Sequence, residues 1–178
     1  MSKTMYIMVW VLGSMPLGTH AQDRSIDEIR HKFYLSTLDY QHAFPLIDKL
    51  SEIGDPNALE LAYMAATQAI LAKPGWNIFK KIGYLRQSRD TFQKAIKRDM
   101  KDLEIRFLRL SIEHHIPRYL GLSRHIAYDK QVIMENIEKF KEKELPQEIS
   151  DYIILFSVES GIYTTEEIEH LRYLLENR

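Results

Sequence analysis

An all-α fold is what this sequence predicts: about eight antiparallel helices, in a helical-hairpin stack or a compact bundle. Helix start and stop signals recur along the chain, and apolar residues return at three- and four-residue spacing between them. The alternating runs of half-buried strands are scarce. With 45% hydrophobic and 28% charged residues and no Gly/Ser/Pro-rich linker, the 178-residue chain has a globular composition.

The first segment, Met1 to Ala21, reads as a signal peptide. Lys3 supplies a basic start, Met5 to Leu17 is almost continuously apolar, and Gly-Thr-His-Ala puts small residues at the cleavage positions before Gln22. A spanning helix needs about 20 apolar residues, and Pro16 and Gly18 break this shorter run, which disfavours a permanent anchor. A buried core helix would carry a polar stripe, and none is present. The expectation is therefore a secreted or periplasmic protein whose residues 22–178 form one all-α domain. The chain has no cysteine, which excludes a lipid-anchored N-terminus, disulfides and thiolate metal sites.

The elements follow in order. Ser25-Ile-Asp-Glu28 is a capping box that opens a helix to about Thr37, with Ile26, Ile29 and Phe33 on one face. A second helix is expected over Tyr40 to Ile53, with Phe44, Ile47 and Leu50 inward and Gly54 at its end. Asp55-Pro56 reads as a cap followed by a first-turn proline. The next helix, Asn57 to Lys73, is apolar nearly all round and rich in alanine, so it should be the most buried element. After Pro74-Gly75 a long helix reaches about Arg98, with Ile82, Leu85, Phe92, Ala95 and Ile96 inward. Asp102 to about His115 carries two apolar stripes, Leu103/Phe107/Leu110 and Ile105/Leu108/Ile112, and Pro117 stops it. A helix from Arg124 to about Lys143 faces Ile126, Ile133, Ile137 and Phe140 inward. Pro146 opens another, with Ile149, Tyr152, Ile153 and Phe156 on one face. Thr164-Thr-Glu-Glu167 is a second capping box, leading into a terminal helix with Ile168, Leu171 and Leu175 inside.

Within this array, Ser88, Phe92 and Ala95, followed by an acidic turn before Leu103 and Phe107, have the small-aromatic-alanine spacing of two closely crossing helices. The stretch from Ser88 to Ile112 resembles part of a tetratricopeptide repeat, in which one repeat's second helix runs into the next repeat's first. Met100 stands where that family ends its helix with proline, and no second copy follows. The resemblance implies a helical-hairpin scaffold that binds another protein.

Candidate functional residues fall in three groups. Lys73 to Arg89 holds five basic residues and no acid beside Trp76, Phe79 and Tyr84. Trp76, Lys80, Lys81 and Tyr84 form a candidate surface for an acidic protein partner, or for peripheral contact with an anionic membrane. The plainer alternative is a solvated basic face whose Phe79, Ile82 and Leu85 dock into the core. Next, Arg106 and Arg109 share a helical face, and with Arg118 and Tyr119 they complete the candidate partner-binding set, since forked guanidinium donors hold carboxylate or phosphate. Arg109 pairing with Glu113 one turn on is the plain reading. Finally, His125 and Asp129 are four apart, and His114 or His115 from the preceding helix would complete a weak candidate zinc set. Capping and salt-bridging histidines compete with that reading.

Near-neutral charge, −1 for the chain and −2 without residues 1–21, gives no case for nucleic acid. No nucleophile elbow or glycine-rich phosphate loop occurs, and Glu166-Glu167 and Glu142/Glu144 suit helix starts and charged faces. No cofactor is expected. An interaction or scaffold module of the cell envelope is the leading expectation; a small metal-dependent hydrolase or ligand-binding protein, built on the His114/His115/His125/Asp129 region, is the rival.

Overall fold

In a computed structural model, residues 18–73, 77–137 and 145–176 are described, with side chains from Ile26 onward except that of Leu175. They form eight α-helices and no strand: α1 Gly18–Leu38, α2 Ala43–Ser51, α3 Ala58–Ile70, α4 Ile78–Arg98, α5 Leu103–His115, α6 Ile126–Asn136, α7 Gln147–Glu159 and α8 Thr165–Glu176. The apolar segment 1–17, Trp76, Phe140, Glu142 and Glu144 lie outside the described residues.

Boundaries differ from the sequence expectation where a stronger local signal wins. No proline or glycine stands between Thr19 and Ser25, so α1 begins at Gly18 and Ser25 is inside it rather than at its cap. Glu28 is thereby free to bridge Lys32 and Lys49, at 2.7 and 2.5 Å. Ahead of α2 the chain makes a 3-10 turn over Tyr40–His42, capped by Asp39. The register change puts Ala43, Leu46 and Leu50 inside and leaves Phe44 exposed, contrary to the inward placement expected for it. Asn57, not Asp55, caps α3, in a reciprocal box with Glu60. Asn77, Asp102 and Thr164 cap α4, α5 and α8 through their side-chain oxygens.

The alanines of α3 position the first half. Ala62, Ala65 and Ala66 are fully buried, and their small size lets α4 approach with Phe92 and Ala95. Ile29 of α1 and Leu46 and Leu50 of α2 close this cluster, and Phe33 stacks edge-on against Tyr63 at 5.4 Å. A second cluster joins Leu103, Phe107 and Leu110 of α5 to Ile133, Ile149, Ile153 and Leu171 of the last three helices. Helix α5 serves both cores: Ile105 and Leu108 face the first, while Leu103, Phe107 and Leu110 face the second. The two stripes read from the sequence are these two faces. Tyr152, which the sequence groups on one face with Ile149, Ile153 and Phe156, lies 40% exposed beside Tyr34 of α1.

Candidate functional site

Helix α5 is as deeply buried as α3, although four of its buried residues are charged: Glu104, Arg106, Arg109 and Glu113. Each charge is matched across a helix interface, as burial requires. On the side of the first core, Arg30 of α1 donates Nε and Nη2 to the two oxygens of Glu104, at 2.8 and 2.7 Å. The Tyr63 hydroxyl donates to the same carboxylate at 2.5 Å. Burial and the Glu104 charge push the Tyr63 phenol well above its ordinary value, so it stays a donor.

On the opposite side, Asp129 of α6 is fully buried and accepts from two arginines. Arg106 Nη1 reaches Oδ1 at 2.9 Å; Arg109 Nε and Nη2 reach Oδ2 and Oδ1 at 2.6 and 2.7 Å. Arg106 also donates Nε and Nη2 to the Met100 carbonyl and lies over the Tyr128 ring at 5.2 Å. Glu113 accepts from the His125 backbone N–H at 2.7 Å and faces Nδ1 of the same residue at 2.6 Å, tying α5 to the start of α6. Lys130 extends the network to α8, with Glu167 at 2.6 Å and the Ile162 carbonyl at 2.9 Å.

These pairings place the sequence candidates. Arg106 and Arg109 point inward onto Asp129, and Glu113 takes His125 rather than Arg109. His125 and Asp129 do not converge on a common ion, because the Asp129 oxygens already accept from guanidinium groups. His114 packs edge-on against Phe156 and His115, and burial, then the charges of His115 and Arg118, lowers its pKa. His115 Nδ1 turns to the Ser111 carbonyl at 2.7 Å. Among the described residues no three His, Asp or Glu side chains are grouped to hold a metal.

The basic candidates lie outside. Helix α4 carries seven Lys or Arg against one acid, Asp90. Phe79 is 82% exposed and Ile78 50% exposed at its start, so Phe79 does not dock into the core as the plain alternative required. Lys80 is exposed and Lys81 half-buried beside them; Tyr84 packs against the cluster of Ala43, Ile70 and Leu71. Tyr119 is 85% exposed in a 3-10 turn, Arg118–Leu120, between α5 and α6, and Arg118 is exposed with it. Thus Lys80, Tyr84, Arg106 and Tyr119 do not share one concave surface.

One concave feature was not foreseen. A cleft of about 160 Å³ opens between α4 and the turn before α6, lined by Arg89, Gln93, Gly121, Leu122, Arg124 and His125. Arg89 belongs to the basic stretch singled out in the sequence, but Gln93 and Arg124 carried no signal. Their partners lie some thirty residues away, and only packing brings them together.

The fold and its charged interior define an all-α helical array organised around two internal helices, α3 and α5. No family model, curated protein or solved structure matches the chain.

Proposed function

We propose that the protein is a secreted or periplasmic helical interaction module that binds an acidic protein partner of the cell envelope through the outer face of α4. The observation that carries the reading is the seven-to-one excess of basic residues on α4, with Ile78 and Phe79 exposed at its first turn. Charges of one sign select an oppositely charged surface and speed encounter, while an exposed aromatic supplies the apolar anchor that charge alone lacks. The tetratricopeptide-like stretch and the signal-peptide-like leader support the scaffold role and the compartment.

Capture from envelope extract, with wild-type protein and a Phe79→Ser/Lys80→Glu variant side by side, tests the reading. An acidic protein retained in salt-sensitive fashion by the wild type and lost by the variant supports it. Equal retention by both proteins refutes it. Retention of anionic vesicles by the wild type, with no protein recovered, replaces the protein partner with the membrane surface.

A further inference from the structure

The cleft between α4 and the α6 turn shares Arg89 with the basic residues of α4 but takes its other lining from Gln93 and the α6 turn. Arg89 and Gln93 are one helical turn apart on α4, and Arg124 and His125 close the other wall. At about 160 Å³ the cleft is smaller than the roughly 300 Å³ at which sites for whole small molecules begin, so it suits a single chemical group.

Arg89 and Arg124 keep donor capacity after their internal contacts, and His125 keeps an open ring nitrogen. Arg89 uses Nε and Nη2 on Asp90, an exposed carboxylate, which leaves Nη1. Arg124 uses only Nε, on the Gly121 carbonyl at 2.8 Å, which leaves both terminal nitrogens. That arrangement depends on Gly121. Its φ of +65° is strained for other residues, although an added Cβ would meet Arg124 Nη2 only at the ordinary contact distance of 3.5 Å. His125 is oriented by Glu113: an ionised carboxylate only accepts, so Nδ1 carries its proton toward it. Nε2, on the far edge of the ring, has no protein partner among the described residues. It donates when the ring is charged and accepts when it is neutral. Asp90 is engaged by Arg89 and Glu113 by His125, and Asp129, one turn beyond His125, is engaged by Arg106 and Arg109.

Two guanidinium groups and an amide call for an oxyanion. The imidazole refines the choice, because a neutral Nε2 needs a donor on the ligand. Carboxylate and sulfate have none at neutral pH, whereas hydrogenphosphate bears P–O–H and a phosphomonoester bears one in its monoanionic form, its second proton leaving at about pH 6. We propose that this cleft binds one phosphate group, free or at the end of a monoester, with Arg89 and Arg124 neutralising it, Gln93 donating its amide, and His125 exchanging a hydrogen bond with its hydroxyl.

Titration of the purified protein, followed by amide chemical shifts of Gly121 to His125, tests this without any protein partner. The probes are inorganic phosphate, sulfate and glycerol 3-phosphate. Saturable phosphate binding in the millimolar range or tighter is expected, with sulfate weaker. Arg89→Gln and Arg124→Gln should each weaken it about tenfold or more, the scale of one charge-assisted hydrogen bond. Arg172→Gln, an exposed arginine on α8, should leave it unchanged. Tighter binding of glycerol 3-phosphate than of phosphate assigns the monoester as the source, and the reverse assigns the free ion. No saturation with either phosphate probe, or equal weakening by Arg172→Gln and Arg124→Gln, overturns the site. Sulfate binding as tightly as phosphate overturns the choice of phosphate.

Discussion

Asp129→Ala removes the single carboxylate that holds Arg106 and Arg109 between α5 and α6. Both guanidinium groups are almost wholly buried, and three hydrogen bonds of 2.6 to 2.9 Å end on Asp129. Breaking a buried pair by deleting one partner typically costs about 3–5 kcal/mol, because the remaining charge stays desolvated. Here two positive charges are left facing each other; Arg106 keeps its bonds to the Met100 carbonyl, while Arg109 loses both of its hydrogen bonds to Asp129. A loss of about 4 kcal/mol is expected, a large share of the roughly 5–15 kcal/mol that holds a domain together. With an m-value of about 2 kcal/mol/M in urea, the midpoint should fall by about 2 M. The companion variant Arg106→Met/Arg109→Leu/Asp129→Leu replaces the whole cluster by apolar side chains and should recover most of the loss. Urea unfolding followed by circular dichroism measures both. A midpoint shift below about 0.5 M for Asp129→Ala, or a triple variant weaker than the single one, would refute the reasoning.

Other expectations follow from the same structure. Burial, with Glu104 and Asp99 nearby, pushes the Asp102 carboxyl up to about 6, against the opposing hydrogen bond from the Ile105 amide. The folded state therefore binds the proton more tightly than the unfolded one. This group's contribution favours folding below the unfolded value near 3.8 and is lost as pH rises through about 6, by as much as about 3 kcal/mol. Asp102→Asn keeps the capping oxygen and should flatten that limb of the stability-versus-pH curve; an unchanged limb assigns it elsewhere. Phe92→Ala should cost about 3–5 kcal/mol by thermal or urea unfolding, since the ring is almost wholly buried against the α3 alanines. Tyr63→Phe should cost about 1–3 kcal/mol, because it takes one donor from the buried Glu104 and leaves Arg30 in place. Thr164→Ala should cost about 1 kcal/mol and fray the first turn of α8, which amide hydrogen exchange reads directly.

Helix identity was largely legible because its signals are local. Thr164 caps where its spacing says it should, and the two stripes of α5 announce a helix packed on both sides. Facing was legible only where the pattern was unambiguous. Phe44 was placed inward by apolar character, yet lies exposed, since a one-residue change of register turns a helical residue by about 100°. The basic stretch was recognised as a unit, but α4 splits it: Tyr84 is tied to the α2–α3 cluster, while Arg89 lines the cleft.

The sequence by itself determined the helical class, the cap at Thr164 and the two-sided character of α5, because hydrogen-bond spacing and apolar periodicity act over a few residues. Only the tertiary structure decided what the charges do. Asp129 and His125 are four apart and suggest a shared ligand, yet one turns to Arg106 and Arg109 and the other to Glu113. Arg30 and Glu104 are 74 residues apart and form one of the most buried pairs. A buried charge must find an opposite charge wherever the fold brings one, and that choice depends on packing between distant segments rather than on spacing along the chain.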